Sequence, residues 1–190
     1  GGGRRKAEMV VGGEVREIVI SGLDRYRAIL AHIAAHKRWT VATFADNLSP
    51  FQRMAVELLE DSRVECLAMR EYPGLRRIFS ALHPTPAEDA CDPARESAIR
   101  HRLTMLSRAI LDANHPYRNP DIREFAQRFH ALMEQGDSNT GEMVDLAVAF
   151  GAKTRRQSDQ LPNIYFTDTV VDYRDDNRQM WKFIEEGDEE

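Results

Sequence analysis

His32-Ile33-Ala34-Ala35-His36 places two imidazoles four residues apart. On a helix that spacing projects both rings from one face, where they can share a metal ion. A third ligand must then come from another element. The run Leu58-Leu59-Glu60-Asp61-Ser62-Arg63-Val64-Glu65, with Glu57 just before it, offers four carboxylates. Asp61 falls on a stripe with Met54, Leu58 and Glu65. It therefore faces inward better than Glu60, whose helical neighbours Arg53, Glu57 and Arg63 are charged. An unpaired carboxylate on an inward stripe is costly, so Asp61 requires a cationic, metal or hydrogen-bonding partner. His32, His36 and Asp61 are expected together, as ligands of a zinc ion or as members of one hydrogen-bond network. A zinc site would have ligand distances of about 2.0–2.2 Å, with water or a further side chain in the fourth position.

A helix with two histidines, a short loop and a helix with a carboxylate is the order of parts in a gluzincin metallopeptidase. The peptidase motif H-E-x-x-H sets its general base directly after the first histidine, and Ile33 stands there instead. A filled site is expected to stabilise the fold rather than to cleave peptides. Asp137-Ser138-Asn139-Thr140-Gly141 is similar to the D-x-S-x-S magnesium loop of von Willebrand factor A domains, but Asn139 replaces a serine and helical sequence precedes it. A helix cap is the better reading. The sequence contains no G-x-x-x-x-G-K-S/T phosphate loop, no G-x-S-x-G elbow and no Cys-His nucleophile arrangement. His83, His101, His115 and His130 are scattered and expected at the surface or at caps.

The elements that must position these groups are mainly helices. Val15, Ile18, Val19 and Ile20 form a short β-leaning run. Leu23, Tyr26, Ile29, Leu30, Ile33 and Ala34 recur at helical steps and predict a helix ending near Trp39. Ser49-Pro50 is a strong helix start, and the helix continues until Tyr72-Pro73-Gly74 stops it. A short helix over 75–82 follows, then a Pro-rich loop over 83–93. Ile99 to Leu111, Ile122 to Leu132 and Met143 to Phe150 outline three further helices. Gly136 suits the end of the second of these. Ile164, Phe166, Val170 and Val171 suit a strand or extended segment, so a small strand pair between the two ends is expected. The expected organisation is a cloning scar and flexible start over 1–13, one helical domain with a zincin-like two-helix core over 14–180, and an acidic linker or tail over 181–190.

With 190 residues, 42% of them apolar, the chain can bury one sizeable core. No apolar run approaches the roughly 18–20 residues that span a bilayer, and the basic start lacks the apolar stretch of a signal peptide. The net charge of −5 and the interleaving of arginines with acids argue against a nucleic-acid face and for ion-paired surface helices. Cys66 and Cys91 have no zinc-ribbon spacing and read as reduced thiols of a cytoplasmic protein.

Leu58 to Glu65, continued by Leu67-Ala-Met-Arg-Glu-Tyr-Pro-Gly-Leu-Arg-Arg77, resembles the segment upstream of the A domain in the CbbO and NorD family of von Willebrand factor A proteins. Tyr26 to His36 resembles the His-x-x-x-His helix of that family, and the acidic exit after Asp175-Asp176 resembles its approach to the A domain. The likeness spans most of the chain from about residue 23 and leans to CbbO through Ala-Met-Arg-Glu-Tyr-Pro-Gly-Leu-Arg-Arg. It implies a non-catalytic adaptor for a MoxR-type AAA+ ATPase. In the CbbO case the ATPase is CbbQ and the remodelled target is Rubisco, engaged through an A domain outside this chain. In the NorD case the process is maturation of nitric oxide reductase. A metal-dependent hydrolase and a purely structural helical spacer are the alternatives.

Overall fold

The computed structural model describes residues 5–11, 14–92, 97–136, 138–157, 159, 169–175 and 177–184, with side chains from Ile20 onward. The chain is mainly helical, as its periodicity predicts. Helix α1 (Gly22–Trp39) opens where the Ser21 side chain accepts the Asp24 amide, and it closes on His36, Lys37 and Arg38, the sign of charge a helix C-terminus favours. Its buried residues are Asp24, Ala28, His32 and Ala35. The expected inner face is therefore rotated, and Leu23, Tyr26 and Leu30 are exposed. Small residues decide this: Ala35 packs against Val64 and Ala68 of the next helix, a closeness that larger side chains would prevent.

Helix α2 (Pro50–Glu71) begins with a reciprocal capping box between Ser49 and Gln52 and stops at Tyr72, before Pro73-Gly74. It is the central helix, packed against α1 and against α3 (Leu75–Leu82), α4 (Ala98–Leu111) and α6 (Thr140–Thr154). Burial runs around it from Leu59 to Glu65. Leu58, expected inside, is only half-buried, and Glu60, expected on an outer charged face, is fully buried. Covering from several sides overrides a single-stripe pattern.

Helix α5 (Pro120–Glu134) is capped by Asn119, and Gly136 follows with φ of +95°, the left-handed region glycine tolerates. Asn139 and Glu142 form a capping box at the start of α6, so that motif is a cap, with Asp137 outside the described residues. The main core joins α2, α4, α5 and α6 through Leu59, Leu103, Leu106, Phe125, Phe129 and Phe150. A second cluster joins α1, α2 and α3 to the C-terminal segment through Ala28, Met69, Phe79 and Tyr173.

Strands β1 (Arg5–Val11) and β2 (Glu14–Ile20) pair antiparallel, from Arg5↔Ile20 to Val11↔Glu14. Arg5–Val11 was expected within a flexible start. Its own alternation is poor, and it becomes a strand because β2 supplies a ladder, a context effect that β-propensity misses. A second small pair is parallel, β3 (Thr43–Phe44), between α1 and α2, with β4 (Trp181–Lys182), so the N-terminal run of β2 pairs with β1 rather than with the C-terminal end. Residues 181–184 thus belong to the fold rather than to a tail, and Trp181 packs on the main core. Residues 185–190 lie outside the described residues, as do Ile164 and Phe166, while Val170 and Val171 are not in a strand. No described helix is long and apolar enough to cross a membrane. Cys66 and Cys91 are not joined in a disulfide.

The expected surface arginines and histidines include several buried ones. Arg63, Arg102 and Arg108 are buried and paired with Glu60, Asp159 and Asp112. His83 and His101 are buried as well, His83 between Ser107 and the Pro84 carbonyl and His101 against the Ala87 carbonyl.

Candidate metal centre

α1 and α2 pack so that His32 and His36 face Asp61. His36 Nε2 lies 2.7 Å from Asp61 Oδ1, and His32 Nε2 lies 3.3 Å from the same oxygen. The two rings stand edge to face, 4.6 Å between centroids and 75° between planes. Asp61 is 4% exposed, so it lies inward as its stripe predicts. A fourth group comes from the far end of the chain: Asp175 Oδ1 is 3.6 Å from His32 Nε2. One ligand atom from each of His32, His36, Asp61 and Asp175 lies within 4.8 Å of all the others. A tetrahedral ion with bonds of about 2.0–2.1 Å would space its ligands roughly 3.4 Å apart, against pairs here from 2.7 Å up to 4.8 Å, so the cluster would have to tighten around an ion.

The outer faces of both imidazoles are committed. His32 Nδ1 is 2.9 Å from Glu65 Oε1. Glu65 can only accept, so the Nδ1 proton points at it and Nε2 is the atom directed into the cluster. His36 Nδ1 is 2.8 Å from Thr40 Oγ1, and that hydroxyl donates its proton to Glu60 Oε1 at 2.8 Å. Thr40 must then accept from His36 Nδ1–H, which again leaves Nε2 inward. A metal-bound histidine is oriented in this way, by a carboxylate or hydroxyl behind it. His32 Nε2 is fully buried and makes no hydrogen bond, although two carboxylates stand near it. Those carboxylates, Asp61 at 3.3 Å and Asp175 at 3.6 Å, would engage either a proton or a metal ion carried on Nε2.

Without an ion the same carboxylates favour a proton on His32, which a bound metal would have to displace. Burial alone would lower the His32 pKa, but Asp175, Asp61 and Glu65 outweigh it and raise the pKa well above its ordinary value. Asp61 is wholly buried, which opposes its ionisation, yet His32 and His36 hold it well below the usual carboxylate range. For Glu65 the burial cost is overcome by Arg174 and His32, and its pKa falls to about 2. Arg174 donates to both Glu65 oxygens at 2.9 and 3.0 Å, and Tyr173 Oη lies 3.4 Å from Oε2. Asn177 Nδ2 donates to Asp61 Oδ2 at 3.3 Å from a left-handed backbone, φ 55°, that asparagine tolerates better than most residues. Glu60 meets Arg63, Thr40 and Thr140 instead of the cluster.

A cavity of about 380 Å³ adjoins the carboxylate side. Asp61, Asp175, Asn177 and Glu57 line it, and neither imidazole does. Burial raises the Glu57 pKa, and the Trp181 indole N–H, which donates to Glu57 Oε1 at 2.7 Å, opposes that rise. The structure brings together His32, His36 and Asp61, and adds Asp175, Asn177 and Arg174. Those three carried no local signal beyond an Asp- and Asn-rich turn. Comparison with protein-family models, curated proteins and solved structures gives no match.

Proposed function

We propose that the chain is a non-catalytic adaptor module of a MoxR-type AAA+ ATPase complex, held at its centre by one structural ion of the zinc class. The adaptor half of this reading rests on the resemblance to the CbbO and NorD family from about residue 23 onward. It agrees with the lack of a phosphate loop in the sequence and with the exposed stripe of Leu23, Tyr26 and Leu30 on α1, since exposed apolar patches commonly serve protein contacts. The metal half rests on one observation: both Nδ1 atoms are engaged from behind while both Nε2 atoms converge on Asp61. His32, His36, Asp61 and Asp175 would hold the ion. Two nitrogens and two carboxylate oxygens suit zinc, and four protein ligands describe a closed structural site.

A hydrolase reading draws on Glu57 as a base in place of the glutamate missing at Ile33. It is the weaker reading, because four protein ligands would leave no open position for a metal-bound water.

Metal content of the purified chain, followed by zinc titration after chelator dialysis, tests the metal half. About one equivalent that is lost in His32→Ala/His36→Ala supports it, and absence of binding overturns it. Capture of a CbbQ-like ATPase by the chain, with and without ATP, tests the adaptor half. Failure with every MoxR-type partner offered overturns that half. Rubisco or nitric oxide reductase as the remodelled client would separate the CbbO and NorD variants. ATP hydrolysis by the pure chain would also count against the adaptor assignment.

A further inference from the structure

Most polar anchors of the segment carrying Tyr173 to Trp181 end on the candidate metal centre. Tyr173 and Arg174 reach Glu65, the residue behind His32. Asp175 approaches His32 Nε2, and Asn177 holds Asp61. Elsewhere the segment is tied down by the Trp181 indole on Glu57 and by the short β3–β4 pairing, and just beyond it the Ile184 amide donates to Asp46. Apolar anchoring is confined to Tyr173, stacked on Phe79 at 5.1 Å, and to buried Met180, with Trp181 partly packed. The Asp175 side chain is 44% exposed and the others at the centre are almost fully buried, so Asp175 is the ligand that can leave.

We infer that the ion acts as a latch: by bridging Asp175 to His32, His36 and Asp61, it holds this segment over the face of α2 and α4. The inference rests on the metal reading above. The physical cause is charge. Docking brings the Asp175 carboxylate beside that of Asp61 with His32 Nε2 facing both, and a divalent cation among them would bind both carboxylates at once where His32 alone now faces them. An ion that binds fully only when the segment is docked stabilises docking by mass action. At a concentration 100 times its dissociation constant, the undocked fraction falls by up to about 100-fold, less in proportion to the zinc that the three remaining ligands still hold.

The consequence reaches the cavity. Val170, Val171, Arg174, Asp175 and Asn177 form one wall of it, and Met54, Leu58 and Leu103 lie on the helices opposite. Release of the latch would uncover this face of α2 and α4, where Met54, Leu58 and Leu103 sit among Glu57, Arg100 and Thr104, and occupancy would keep it covered. Ion binding thereby regulates which surface the module presents.

Hydrogen–deuterium exchange of the whole chain, with zinc or with chelator, tests the latch. Zinc binding is followed separately by calorimetry. The expected result is exchange over 177–184 slowed by at least about tenfold with zinc, while α5 peptides are unchanged. Asp175→Asn, which keeps three ligands, is expected to retain zinc more weakly and to lose the slowing. One equivalent of zinc with unchanged exchange over 177–184 would overturn the latch and leave the metal site standing. Uniform slowing throughout the chain, or slowing that persists in Asp175→Asn, would also overturn it. No zinc binding to the wild type would remove the metal reading and the latch together.

Discussion

Glu65→Gln is the most searching single substitution, because Glu65 is where the histidine pair, the C-terminal segment and the core meet. The change keeps shape and removes one charge. Arg174, only 6% exposed, then loses its carboxylate, and His32 loses the acceptor behind Nδ1. Removing one partner of a buried ion pair costs about 3–5 kcal/mol. The proton equilibrium of Glu65 supplies a second route to the same quantity. Its pKa falls from 4.5 to about 2 on folding. At about 1.4 kcal/mol per pH unit this amounts to roughly 3 kcal/mol. Urea unfolding of wild type and variant at pH 7, followed by Trp39 and Trp181 fluorescence, should therefore differ by about 3 kcal/mol.

The pH dependence has a definite sign. A carboxyl depressed on folding contributes fully above its unfolded pKa and loses that contribution as pH falls toward the folded one. The gap between wild type and Glu65→Gln should hold above 4.5 and shrink as the pH drops from there toward about 2. His32 titrates with the opposite sense, since its raised pKa stabilises below 6.5 and the benefit is lost only as pH rises through the raised value. A gap under about 1 kcal/mol at pH 7, or one unchanged between pH 5 and about 3.5, would refute the reasoning.

Leu59→Ala should cost about 2–5 kcal/mol in chemical denaturation, and half-buried Leu58→Ala distinctly less, since burial depth sets the cavity left behind. Equal losses would contradict the orientation of α2. Burial, with Arg174 adding to it, pushes His83 down to about 3, so it stays neutral in the fold while the unfolded chain takes up a proton below 6.5. Stability should fall with acid by up to about 1.4 kcal/mol per pH unit below that point, and His83→Asn should flatten this slope in urea titrations across pH. Ser49→Ala removes half of the α2 capping box and should cost about 1 kcal/mol, readable as a lowered thermal midpoint.

Local signals sufficed for everything that depends on neighbours in the chain. Ser49-Pro50, Tyr72-Pro73-Gly74 and Gly136 each bound a helix through caps and backbone preferences that act within one turn. The spacing of His32 and His36 likewise placed both rings on one face, and the stripe through Asp61 turned it inward. Tertiary packing decided the rest. The small residues Ala28 and Ala35 rotated α1 away from its larger apolar face, a choice that only the surface of α2 could make. Glu60 is buried because Arg63, Thr40 and Thr140 surround it, the last of them from another helix. Arg5–Val11 is a strand because β2 lies beside it. Asp175, Arg174 and Asn177 join the centre across more than a hundred residues of sequence, 109 in the case of Arg174 and Glu65. Hydrogen bonds and charges act over a few ångströms in space, whatever the distance along the chain, so their partners emerge only once the fold has brought them together.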